Sequence, residues 1–132
     1  MLGDQIYESQ GIITGFRFLD ENGTTETSFR DEGMILGMKS ISMGTTTDTP
    51  RSNGTTYSEG YGMTSTEDGD SAMFTYTGFS VPAGRPPACR GVGAVYYKTE
   101  AEKLARLNTV AAVFEIDVRE DESYVLKMWE WK

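Results

Sequence analysis

Histidine is absent from this 132-residue chain, and that absence excludes more chemistry than any other feature of its composition. Without an imidazole there is no histidine general base, no histidine metal ligand, and no Ser-His or Cys-His nucleophile pair. Cys89 is the single cysteine, so no internal disulfide can form and nothing points to an oxidising compartment. Basic residues are few: 12 Lys and Arg, scattered from Arg17 to Lys132, face 20 Asp and Glu, for a formal net charge of −8. An acidic surface with no basic patch repels phosphate backbones, which argues against nucleic acid as a partner. No apolar run approaches the length of a membrane span, and the segment from Met1 to Glu8 lacks a basic stretch followed by an apolar one. The expectation is a cytoplasmic protein, mature as written, with no membrane partner. If the chain is an enzyme, carboxylates, tyrosines or an arginine must carry the chemistry; no cofactor and no metal is expected.

What the chain does have is turn signals at short intervals. Asp20-Glu21-Asn22-Gly23, Asp31-Glu32-Gly33, Asn53-Gly54, Glu67-Asp68-Gly69 and the segment from Pro82 to Pro87 separate stretches rich in Thr, Tyr, Phe, Val and Ile. Such residues suit a pleated, half-buried surface. The pattern predicts strands near 5–19, 24–30, 33–43, 54–66, 70–80, 88–98, 110–119 and 123–131, with Thr45 to Thr56 polar enough to form a mobile loop. Eight strands at this spacing suit a barrel or a sandwich, and the length suits one domain spanning 1–132.

The run from Arg90 to Val118 chooses between them. A glycine-bearing strand, one short helix near residues 99–108 and an alternating strand follow one another with almost no connecting residues, as in a curved antiparallel sheet closing into a barrel. Thr99 and Glu102 form a capping-box pattern, with Leu104 and Leu107 on one helix face and Asn108 at its end. So short a helix must pack on the sheet, which predicts that it covers one barrel mouth. Alternation puts Val110, Ala112, Phe114, Ile116 and Val118 on one face of their strand and Ala111, Val113, Glu115, Asp117 and Arg119 on the other. Gly60 with Gly62, and Gly91 with Gly93, share faces of their strands, permitting sharp coiling or leaving room for a bulky neighbour; Gly11 and Gly15 suggest a bend or bulge in the first strand. Gly91-Val92-Gly93 leads to no helix N-terminus and is a poor phosphate loop.

These residues carry a resemblance. The segment RGVGAVYYKTEAEKLARLNTVAAVFE, the ending KMWEWK, and the earlier GIITGFRFLD and TTYSEGYGMT resemble small proteins of the allene oxide cyclase-like barrel family. The resemblance spans most of the chain, and its C-terminal half is the specific part. It implies an all-β, eight-stranded antiparallel closed barrel, related to plant allene oxide cyclases and more distantly to dirigent proteins and calycins. The plant enzymes hold an apolar fatty-acid epoxide in the barrel without a cofactor, steered by a carboxylate. Ile6-Tyr7-Glu8-Ser9 is similar to the segment that carries their glutamate, which makes Glu8 a candidate catalytic residue by resemblance.

Among the residues themselves, Glu8, Arg17, Glu26, Glu59, Arg90, Glu115 and Glu130 lie within or beside strands. They form either a satisfied ion-pair network inside the barrel or a solvated lattice on its outer wall. Glu59 and Arg90 flank the paired glycines and are the leading lumen candidates, with Arg17, Tyr61 and Tyr96 as further ligand contacts and Glu59 a second catalytic candidate. Tyr57, Tyr76 and Tyr97 offer aromatic wall as well, Met34, Met38, Met43, Met63 and Met73 read as core filler, and Trp129 and Trp131 as packing. Arg90 beside Cys89 is placed to lower a thiol pKa, although a structural cysteine is the simpler reading. Three functions remain open: a barrel binding an apolar or amphipathic small molecule in its lumen, a cofactor-independent cyclase or isomerase, and an oligomeric scaffold, with a homotrimer or homodimer implied by the resemblance.

Overall fold

The computed structural model describes residues 1–132. Eight strands run in order around a closed cylinder: β1 (Leu2–Phe18), β2 (Thr25–Ile35), β3 (Met38–Pro50), β4 (Thr56–Thr66), β5 (Ser71–Pro82), β6 (Cys89–Lys98), β7 (Ala111–Val118) and β8 (Ser123–Trp131). Each pairs antiparallel with its neighbours in sequence, and β8 closes back onto β1, so no edge is left unpaired. The eight-stranded antiparallel barrel expected from the sequence is the fold observed. Gly23, Gly54 and Gly69 all take positive φ at the hairpin turns, where a side chain would be strained.

Two boundaries differ from expectation, for one reason. Asp31-Glu32-Gly33 is not a turn: β2 runs through it to Ile35, and the chain reverses at Leu36-Gly37, both with positive φ. The stretch predicted as one strand over 33–43 is therefore split between β2 and β3. Likewise Thr45 to Pro50 is no mobile loop but the second half of β3, paired to β2 and β4 along its length. Threonine is a strand former, and ladder pairing on both sides outweighs local polarity.

The short helix is a 3-10 helix, Glu102–Thr109. Three residues per turn stack Leu104 over Leu107, and both are completely buried against one mouth of the barrel. With Ile6, Ile35, Ala72, Tyr97 and Val110 they make the apolar plug that closes this end. The expected capping box is absent. Thr99 instead accepts the Ala101 amide at 3.0 Å and donates to the Ser71 carbonyl at 2.7 Å, while the Asn108 side chain bonds both the amide and the carbonyl of Thr99. The connection is thus pinned from both ends and not capped from one.

Inward and outward faces follow the two-residue period except in β1, whose register also shifts against β8 between Leu2 and Tyr7. A bulge between Ile13 and Gly15 shifts β1 so that Tyr7, Ser9 and Gly11 point inward below it and Phe16 and Phe18 line the cavity above it. The bend expected at Gly15 is this bulge. Inside, rings lie across glycines on neighbouring strands: Phe29 on Gly44, Phe74 on Gly62, Tyr76 on Gly60, Phe114 on Gly93 and Tyr124 on Gly11. Each pairing lets a ring occupy the space over the neighbouring strand where a Cβ would otherwise stand. The centre of the barrel is hollow in consequence.

Candidate functional site

The lumen is a cavity of about 700 Å³ that opens at the mouth opposite the helix. All four prolines of the chain, Pro50, Pro82, Pro86 and Pro87, stand at that open rim. The two sides of the cavity differ in chemistry. Strands β5 to β8 contribute Phe74, Tyr76, Val95, Phe114, Ile116 and Leu126, a nearly continuous apolar wall. Strands β2 to β4 contribute Thr27, Asp31, Ser42, Thr46, Asp48 and Ser58, a strip of hydroxyls and two carboxylates.

At the deep end Asp31 is 2% exposed and holds both of its oxygens in hydrogen bonds. The Tyr7 hydroxyl donates to its Oδ1, and the Tyr124 hydroxyl donates to its Oδ2 at 2.7 Å. With the Tyr7 proton committed to Asp31, Ser42 donates to Tyr7 at 2.6 Å and Thr64 to Ser42 at 2.7 Å. Four hydroxyls on β1, β3, β4 and β8 thus converge, in part through one another, on one carboxyl group of β2. Burial pushes the Asp31 pKa up, and the hydrogen bonds from Tyr7 and Tyr124 only partly offset it. The tyrosines are driven strongly upward in turn, by burial first and then by the Asp31 charge, so both stay protonated as donors. Nearer the mouth, Asp48 accepts from Thr27 at 2.9 Å and from Ser58 at 2.5 Å.

The six leading site candidates, Glu8, Arg17, Glu59, Tyr61, Arg90 and Tyr96, all stand on the outer wall. Glu8 is exposed, bonded by Gln5 at 3.3 Å. Arg17 pairs with Glu26 at 3.2 Å and Arg90 with Asp117 at 3.2 Å, both across exposed strand faces. Glu59 accepts from the Tyr57 hydroxyl at 2.7 Å, beside Arg51, which lies over the Tyr57 ring. Tyr61 and Tyr96 are 65% and 56% exposed. The expectation that Glu59 and Arg90 face the lumen is therefore corrected, and its own premise explains why. The paired glycines face inward, so a residue adjacent to one must face outward. The ion pairs form the solvated outer lattice, six bridges in all, none involving Asp31 or Asp48.

Parity also relocates other residues. Met34, Met43 and Met73 are on the outer surface and are not core filler, and Trp129 and Trp131 lie outside the lumen. Tyr76 and Tyr97 line the lumen while Tyr57 does not. Cys89 faces the cavity, and burial raises its thiol pKa in spite of Arg90 beside it, as befits a structural cysteine. Sequence reasoning missed Asp31, Tyr7, Tyr124 and Asp48. The signal that finds them is the inward parity shared with Thr27 and Phe29 on β2 and with Gly44 on β3. No group of three or more His, Cys, Asp or Glu side chains is placed to hold a metal ion.

No protein-family model and no curated relative matches the sequence. Solved structures do match its shape. A beta-barrel-like protein from Acinetobacter baumannii superposes with a TM-score of 0.83 at 13% identity, over 100% of this chain and 96% of that one. A conserved protein of unknown function from Rhodopseudomonas palustris gives 0.78 at 14%, over 98% and 97%, and a protein of unknown function from Clostridium acetobutylicum 0.77 at 11%, over 98% of each chain. At such identities the likeness shows the fold alone: a closed barrel shared end to end. No helix of the chain is long and apolar enough to cross a membrane.

Proposed function

We propose that this barrel is a binding module that receives one apolar or amphipathic small molecule in its lumen. The observation that carries the reading is the cavity itself. Its volume of about 700 Å³ falls inside the ~300–1,000 Å³ typical of small-molecule sites, and it combines an apolar wall with a few convergent polar groups. The resemblance to allene oxide cyclase-like barrels supports the same reading, since those proteins use the lumen. N-phenyl-1-naphthylamine, a neutral dye that brightens in apolar surroundings, tests it. Saturable uptake of one dye per chain is the expected result; a linear, unsaturable rise refutes the proposal.

One observation favours a second reading, a cofactor-independent isomerase or cyclase. A buried acid with a raised pKa, held by two tyrosines at the end of an apolar cavity, is a suitable proton donor or acceptor. In that reading Asp31 takes the role first sought in Glu8 and Glu59. A homo-oligomer, trimer or dimer, is supported by the outer wall, where Met43, Met63 and Met73 lie in cross-strand register on β3, β4 and β5 beside Tyr61 and Tyr96. Sedimentation as a monomer at micromolar concentration retires it.

A further inference from the structure

The lumen carries two inward carboxylates, Asp31 and Asp48, with the exposed Glu122 of the β7–β8 turn at its edge, and no base. All 12 Lys and Arg side chains are exposed, and none lines the cavity. Burial favours the neutral form of Asp31, and two tyrosine hydroxyls hold both of its oxygens, so it has little need of a cation. Asp48 is differently placed. It is half-buried, points inward on β3, takes hydroxyl bonds from Thr27 and Ser58 that fix its orientation, and has no cation within reach. Its charge is felt across the cavity at Tyr76 and Cys89. A carboxylate facing a low-dielectric space without a countercharge is costly, and a cation arriving from outside removes that cost.

The aromatic wall adds a second attraction. Phe29, Phe74, Tyr76 and Phe114 form one connected cluster, with successive ring centroids 6.4, 6.2 and 5.8 Å apart. Such a wall takes up the apolar body of an amphiphile whose head stays outside it. The chain's formal charge of −8 draws cations towards the mouth as well. An anionic amphiphile such as a fatty carboxylate meets the opposite conditions, with like charge inside and no lysine or arginine to receive it.

We infer that the lumen selects cationic amphiphiles: an amine or quaternary ammonium whose charged head pairs with Asp48 while its apolar body lies against the Phe29, Tyr76 and Phe114 wall. This rests on the lumen-binding proposal and narrows its ligand class. The body enters past the prolines of the rim, and the head stays near the mouth, where Asp48 keeps partial contact with solvent and the cation is never fully stripped of water. Thr25 and Thr27 beside Asp48 offer hydroxyl oxygens to the remaining ammonium protons.

A matched series tests the charge alone. 4-Phenylbutylamine, 4-phenylbutan-1-ol and 4-phenylbutyrate share one apolar body, and each is scored by displacement of N-phenyl-1-naphthylamine, so that attraction to the acidic outer surface does not register. The amine is expected to bind about tenfold tighter than the alcohol, with the carboxylate weakest, a gap of the size one semi-exposed ion pair supplies. Asp48→Asn, which keeps the side-chain shape, should bring the amine to within about threefold of the alcohol measured on the same variant. The wild-type series decides the matter even where that variant folds poorly. Equal affinity for amine and alcohol, or tightest binding by the carboxylate, overturns the charge selection and leaves lumen binding standing. Failure of the dye itself to bind overturns the lumen reading and this inference together.

Discussion

Replacing Tyr124 by Phe removes one hydroxyl from the deep network and almost nothing else. The ring keeps its place on Gly11, so packing is preserved, and Asp31 Oδ2 loses the donor that stands 2.7 Å away. Hydrogen bonds to charged groups contribute about 1.5–3 kcal/mol and neutral ones about 1 kcal/mol. With Asp31 ionised, Tyr124→Phe should therefore destabilise the fold by about 2 kcal/mol, falling to about 1 kcal/mol where Asp31 is protonated. Since domains of this size are stable by about 5–15 kcal/mol, the change is large enough to measure. Urea unfolding followed by tryptophan fluorescence should show the midpoint falling by about 0.5–1 M with the slope unchanged. Tyr7→Phe should cost at least as much, because Ser42 then loses its acceptor too. Both tyrosines serve one carboxyl group, so the double variant should depart from additivity by at least about 0.5 kcal/mol. A Tyr124→Phe protein within ~0.5 kcal/mol of wild type at both neutral and acid pH, with an additive double variant, refutes the network.

Asp31 also sets a pH signature. Its folded pKa is raised above the ordinary 3.8, so its contribution is complete below that value and is lost as pH rises through the raised one. The destabilisation caused by Asp31→Asn should accordingly shrink from pH 4 towards neutrality, and urea midpoints at five pH values check this. The turn carboxylates Asp20 and Asp121 are lowered by hydrogen bonds from Thr24 and Ser123, so their contribution is lost only as pH falls below 3.8. Gly60→Ala should press on the Tyr76 ring and drive it into the lumen, weakening dye uptake at modest cost in stability. Gly93→Ala meets the Thr77 carbonyl oxygen and should cost about 1–3 kcal/mol or more by thermal unfolding. Leu104→Ala opens the plugged mouth and should cost about 2–5 kcal/mol, seen as a lower urea midpoint.

The fold was legible because its signals are local. Alternation in Val110 to Val118 and glycines at Gly23, Gly54 and Gly69 place strands and turns without reference to distant residues. Closure was expected from the strand–helix–strand run of Arg90 to Val118, in which the helix occupies the connection between β6 and β7. The site was not, because it depends on a parity that a single residue inverts. Gly60 and Gly91 drew attention to Glu59 and Arg90, yet inward glycines place those neighbours outside. Asp31 hid in Asp-Glu-Gly, a turn composition that continues as strand because β1 and β3 pair with it on both sides. The aromatic-on-glycine pairs that hollow the centre lie between strands and depend on register, which no single stretch of sequence states.

The central claim is that the hollow of the barrel, and no outer groove, receives the ligand. Intermolecular nuclear Overhauser contacts between bound N-phenyl-1-naphthylamine and assigned methyl groups test it most directly. Contacts to Val95, Ile116, Leu126 and Met128, which line the cavity, are the predicted result. Contacts confined to Ile41, Met43 and Met73, which stand on the outer wall, would contradict it.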